Sequence, residues 1–175
     1  TRTAWDEVDP DLIAAELARE SMDASTTAEL RLAAGIVALN AGELAAAVGH
    51  LEAAAHTIRA SGLRQEYAAP VSCWRATAAR TLVEQASPHD PVSHTKALRK
   101  ASKAVTSARF WAWSYRNNAP HALREAGLVA SLRNQPRRRD RYFARSLAIA
   151  EKQGARYEKA MTRLAIAEAT TRAGE

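Results

Sequence analysis

Five histidines and one cysteine are the side chains of this sequence best suited to metal or nucleophilic chemistry. His50, His56, His89, His94 and His121 include no pair spaced i, i+4, so no helix would present two imidazoles on one face, and Cys73 alone cannot complete a zinc site. The segment PHDPVSH could bring His89, Asp90 and His94 around one ion, but an aspartate directly before Pro91 is better explained as a helix cap. Neither a phosphate-cradling glycine loop nor a G-x-S-x-G turn occurs. Glu66 and Glu158, beside Arg64 and Arg156, fall at expected helix starts, where a carboxylate favours the free amides, so their role reads as structural. These spacings point to no catalytic centre, no cofactor and no metal.

Two other stretches are candidates for binding. In RNQPRRRDRYF, Pro136 permits a helix start and places Arg137, Arg138, Arg139 and Arg141 in or near its first turn. Positive charge there opposes the helix dipole by a few tenths of a kcal/mol per residue. Asp140, Glu125 or Glu175 could relieve it, with solvated surface arginines as the plain reading and bidentate contacts to phosphate or carboxylate as the sharper one. Nucleic-acid binding also needs an element that enters a groove or stacks bases, and no recognition-helix motif is visible. In ARFWAWSYRNNAP, Phe110, Trp111, Trp113 and Tyr115 lie within six residues. On a helix Phe110 and Trp113 share one side and Trp111 and Tyr115 the adjacent one, so the rings cannot all face one neighbour. The stretch reads as core first, wedging a helix junction, with Trp111 and Tyr115 the rings expected to show. The competing reading is an anchor site that includes the flanking Arg109 and Arg116.

The elements that must position these residues are helices. Alanine dominates, there are 7 Gly and 6 Pro in 175 residues, and β-branched residues form no alternating runs. The hydrophobic fraction of 47% suffices for one core, and the single Cys73 makes no internal disulfide. No run of 18 uncharged apolar residues occurs, which with the lone cysteine suggests a cytoplasmic location and no membrane contact. The opening TRTAWDEVDP, without an initiator methionine, reads as part of a longer chain. A net charge of +6 and a pI near 9.9 permit acidic partners without requiring them.

Punctuation divides the chain into about eight helices. Asp9 and Pro10 open the first, to about Ser21; Ser25 or Thr26 caps the second, which ends at NAG 40–42; the third runs from Glu43 to Gly62. The fourth spans about 64–86, with Pro70 as a kink or a late start, the fifth about 91–116, and the rest about 120–134, 137–153 and 155–172. The expected hairpins are therefore 9–40, 43–86, 91–134 and 137–173, in one domain over 1–175. Gly62, Arg64, Glu66 and Ala68 match Gly154, Arg156, Glu158 and Ala160 at an offset of 92, which also relates Gly35 to Gly127 and Leu51 to Phe143. That offset holds two hairpins of about 46 residues each.

Residues 123–151 resemble a tetratricopeptide repeat: Leu123, Ala126, Gly127 and Ala130 keep the W-x2-L-G-x2-Y spacing, and Phe143 falls where the second helix carries its phenylalanine. Residues 31–51 fit the same template through Ala34, Gly35, Ala38, Ala47 and Leu51, although Arg31 and Arg139 depart from it. The variable repeat length is similar to the helical tails of large bacterial signalling proteins, in which a nucleotide-binding switch domain is joined to a kinase, cyclase or DNA-binding output domain. The resemblance implies an all-α, right-handed superhelix of stacked antiparallel hairpins acting as a non-catalytic protein-interaction or regulatory scaffold. It also implies that the first helix of each hairpin lines a concave face, here Leu32, Ile36 and Leu39 from one unit and Arg124, Leu128 and Ser131 from another; for the apolar stripe Leu32, Ile36 and Leu39 the plain reading is packing against the first helix, and a groove for a partner helix is the sharper one. The expected partner is a protein, in the same chain or separate, and self-association is compatible with the pattern. Nucleic acid or an acidic ligand on Arg137 to Arg141 is the alternative.

Overall fold

The computed structural model describes residues 9–19, 22–86 and 90–173. Eight α-helices follow one another, α1 (Pro10–Leu17), α2 (Ala24–Asn40), α3 (Leu44–Ser61), α4 (Ala69–Gln85), α5 (Pro91–Ser114), α6 (Ala119–Leu132), α7 (Pro136–Lys152) and α8 (Arg156–Ala173), and no strand occurs among the described residues. No described helix is long and apolar enough to cross a membrane.

Local chemistry explains most of the boundaries. Asp9 accepts from the amide of Asp11 at 2.9 Å and Asp90 from that of Ser93 at 3.0 Å, so both Asp-Pro pairs open helices. Helix α1 is shorter than expected, ending at Leu17, and Glu20 and Ser21 lie outside the described residues. The cap of α2 is Asp23 rather than Ser25 or Thr26. Its carboxylate accepts from both their amides, at 2.8 and 2.9 Å, and the Ser25 hydroxyl bond helps hold it well below the usual carboxylate range. Pro70 marks a late start: a short 3-10 turn over Glu66–Ala68 precedes α4, with the proline in the first turn, where no amide bond is lost. Tyr115, at φ −113° and ψ 80°, ends α5 before Arg116.

Turns 92 residues apart close with the same bonds. Gly42 has φ 80° and Asn134 φ 54°, and the amides that follow, Glu43 and Gln135, donate to Ala38 and Ala130 at 2.8 and 2.9 Å. Gly62 and Gly154, at φ 67° and 64°, are likewise followed by amide bonds from Leu63 to Ile58 and from Ala155 to Ala150. Asn134 occupies a left-handed position that asparagine tolerates better than other side chains.

The helices pack as neighbouring pairs, but the pairs are offset by one helix from the 9–40, 43–86, 91–134 and 137–173 division. The most extensive contacts join α2 to α3, α4 to α5 and α6 to α7. In addition α4 touches α2 and α6, and α6 touches α8. The reason for the offset lies in glycine. A Cβ on Gly35 would come within 2.6 Å of Leu51 Cγ, and one on Gly127 within 2.5 Å of Phe143 Cε1, so α2 meets α3 and α6 meets α7 through a large side chain lying on bare backbone. Alanine supplies most of the central cluster, with Cys73, Val83, Val105 and Val129 between, and such small residues bring helix axes close together.

Gly35→Ala and Gly127→Ala are each expected to destabilise the protein by ~1–3 kcal/mol through overpacking. Gly49→Ala, in a helix position with nothing within 4 Å, should instead stabilise it by about 0.5–1 kcal/mol. Urea unfolding followed by circular dichroism measures all three.

Candidate functional site

Helix α6 is enclosed along most of its length, and its charged residues are inside: His121, Arg124 and Glu125 are all buried. Glu125 Oε2 accepts from Arg80 Nε at 2.7 Å and Oε1 from the Thr77 hydroxyl at 3.0 Å, which joins α6 to α4. Thr77 Oγ1 lies 2.9 Å from His121 Nε2, and Trp74 meets the imidazole edge-on with ring centroids 5.0 Å apart. Arg80 also binds Glu84, which accepts from Arg172 of α8 at 2.5 Å. On the far side of α6, Arg124 pairs with Glu158 of α8, and the Ser146 hydroxyl donates to Pro120 O at 2.8 Å while lying 2.9 Å from Thr162 Oγ1. Two polar networks thus tie α6 to its neighbours, one through α4 and Arg172 of α8 and the other through α7 and α8.

Burial and charge set the protonation states in them. Burial, reinforced by Arg124, pushes His121 down to about 3, so the ring is neutral at pH 7. Burial alone would raise Glu125, but Arg80, by its charge and its hydrogen bond, and Arg124 more than reverse it and keep the carboxylate charged and below its usual range. Burial lifts the Cys73 thiol to about 12, and Glu125 adds to the effect, so this cysteine is an inert core residue. A hydroxyl, an imidazole and a carboxylate do converge here, contrary to the spacing argument, yet His121 and Glu125 are buried away from solvent. The arrangement clamps helices. Among the described residues no group of three or more His, Cys, Asp or Glu could hold a metal ion; Asp90 is a cap, and His89 lies outside the described residues.

Several expected site residues are interior. Ile36 is buried, and Leu32 and Leu39 pack against Leu44, Leu51 and Ala78, so the apolar stripe of α2 faces α3 and α4. Arg124 is in its buried ion pair, and Leu128 packs on Phe143, Ala165 and Ala169. Ser131 is half-buried. The basic stretch is divided: Arg137, Arg138 and Arg141 are exposed, whereas Arg139 is buried with Nε 2.8 Å from Asp140 Oδ1. Asp140 does relieve the first turn of α7, but Glu125 does not, because Arg80 holds it in the core.

The aromatic stretch is inverted relative to expectation. Trp111 packs into the α2–α3–α4 cluster and stacks on Tyr115 with centroids 5.7 Å apart, while the Tyr115 hydroxyl donates to Arg64 O. Phe110 and Trp113 are the rings that show, at 71% and 76% exposure. They form a ridge on α5 with a cleft at each side. The larger, about 360 Å³, is walled by Ile58, Arg59, Leu63, Arg64, Phe110, Trp111 and Tyr115. The smaller, about 150 Å³, has Ala112, Leu123 and Ile149 among its walls and Arg109, Trp113, Arg116 and Arg145 at its rim. Arg109 is held over the Tyr142 ring, 5.1 Å from its centroid. Helical spacing separates the two ring pairs correctly; it cannot say which pair faces inward, because that depends on the α2–α3–α4 cluster and Arg64, which are distant in sequence.

The fold and this surface define a class, an array of α-helices packed in neighbouring pairs with an exposed aromatic and arginine patch. Comparison with protein-family models, curated proteins and solved structures finds no match for the chain.

Protonation of His121 yields a testable slope. The unfolded histidine takes up a proton as pH falls below about 6.5, and the folded one does so only near 3, so the unfolded state binds more protons in that window and stability falls with pH. Urea unfolding between neutral pH and about pH 5 should show a loss approaching ~1.4 kcal/mol per pH unit. His121→Gln should flatten this dependence.

Proposed function

We propose that this chain is a non-catalytic protein-interaction or regulatory scaffold, built from tetratricopeptide-like hairpins as part of a larger cytoplasmic signalling protein. The observation that carries this reading is the exposure of Phe110 and Trp113 side by side on a helix whose neighbours are otherwise well packed. Large aromatic and arginine side chains dominate the energetics of protein interfaces, and adjacent exposed rings bordered by clefts form the kind of apolar patch that marks an interaction site. The equivalent turns and glycine contacts at an offset of 92 support a duplicated pair of hairpins. Such arrays present extended surfaces because each unit buries its apolar face on its neighbour. The polar groups brought together inside α4 and α6 serve the packing, and the surface is left for recognition.

The test is a photo-crosslinking amino acid placed at position 110, 113 or 137 of the protein in its native cell. Discrete adducts with a protein are expected from positions 110 and 113 and not from 137. Adducts that are absent at the ridge, or equally intense at 137, would overturn the proposal.

A further inference from the structure

The charge around the ridge specifies the partner more closely. Five arginines, Arg59, Arg64, Arg109, Arg116 and Arg145, line its two clefts, and all are exposed. Neither cleft has an aspartate or glutamate in its walls. Elsewhere several arginines are paired with carboxylates, as in Arg75 with Glu52 at 2.7 Å, Arg80 with Glu125, and Arg172 with Glu84. None of the five has a carboxylate partner among the described residues; Arg109 is occupied only by Tyr142, whose hydroxyl accepts at 3.3 Å. A set of like charges whose clefts contain no carboxylate attracts an anion, and guanidinium groups meet carboxylates by paired hydrogen bonds.

The floors between these arginines are aliphatic. Ile58 and Leu63 line one cleft, and Ala112, Leu123 and Ile149 the other. Concave pockets with branched aliphatic walls accept apolar side chains, and volumes of about 360 and 150 Å³ hold a few such side chains. A nucleic-acid strand would use the ring faces and the arginines but would leave both floors empty. A small inorganic anion would use neither rings nor floors.

Resting on the reading of the ridge as an interaction surface, we propose that its partner is an acidic polypeptide segment carrying large apolar side chains. The segment straddles Phe110 and Trp113, seats apolar side chains in the two clefts, and sets its carboxylates against Arg59 and Arg64 on one side and Arg109, Arg116 and Arg145 on the other.

The experiment is selection of random displayed peptides on the full 175-residue chain, with depletion on a Phe110→Ser, Trp113→Ser variant. Retained peptides are expected to be enriched in Asp and Glu together with Leu, Phe, Trp or Met. Synthetic copies should bind with an affinity that falls as salt rises, and an Arg109→Glu, Arg116→Glu variant, folded by circular dichroism, should bind them about tenfold or more weakly. Retained peptides that are neutral or basic, or whose affinity ignores the arginine reversal, would overturn the acidic partner while leaving the ridge an interaction surface. A single-stranded oligothymidine that binds more tightly than the selected peptides at the same salt would assign the patch to nucleic acid instead. If depletion removes every peptide, the ridge itself is not a binding surface and both proposals fall.

Discussion

Close approach of helices is the constraint from which the rest of this structure follows. Alanine-rich helices have little side-chain volume to offer, so they bury surface only when their axes come near one another. At two points, 92 residues apart in the chain, the approach is closer than even alanine would allow: Leu51 lies on Gly35 and Phe143 on Gly127. Each contact binds one pair, α2 with α3 and α6 with α7, and α4 with α5 is built the same way from alanine and valine. Once these pairs are formed, the chain between them has few choices. The left-handed turns at Gly42 and Asn134 and at Gly62 and Gly154 are what such short connections require.

Tight packing leaves the larger side chains to be divided between the seams and the surface. Trp74 finds a place against His121, and Trp111 one against Tyr115 and the α2–α3–α4 cluster. Phe110 and Trp113, on the outer side of α5, find none. Polar groups are divided in the same way. Arg80, Arg124, Glu125 and Arg139 are drawn in and compensated, whereas the arginines around the α5 ridge remain outside and uncompensated. Interior charges paired in this way hold helices together, while the ridge arginines are exposed to solvent.

Much of the helical layout could be read directly from residues. The Asp9-Pro10 and Asp90-Pro91 caps, the glycine stops and the Gly35–Leu51 and Gly127–Phe143 correspondence are local or periodic signals, and the structure contains each of them. What could not be read was facing. In a helix rich in alanine, both sides look alike, so Leu32, Ile36 and Leu39 could be assigned to a groove when they face α3 and α4, and Trp111 and Tyr115 could be put outside when they face in. The Arg80–Glu125 pair left only a faint trace, a charged residue within the nearly continuous apolar and small-residue face of α6. Arg139 was grouped with its neighbours because a run of like charges conceals the one member whose phase points inward.

The same sameness makes the buried network consequential. Where alanine meets alanine, sliding one helix along another by a turn replaces each contact with an equivalent one, and hydrophobic burial hardly distinguishes the alignments. Hydrogen bonds do, since Thr77, Arg80, His121 and Glu125 meet their partners in one alignment of α4 and α6 and leave a charge stranded in any other. The network therefore acts as an index mark between otherwise smooth surfaces. A chain in which these four residues were exchanged for well-fitting apolar ones would keep its helices and much of its stability, but would populate several sliding registers instead of one.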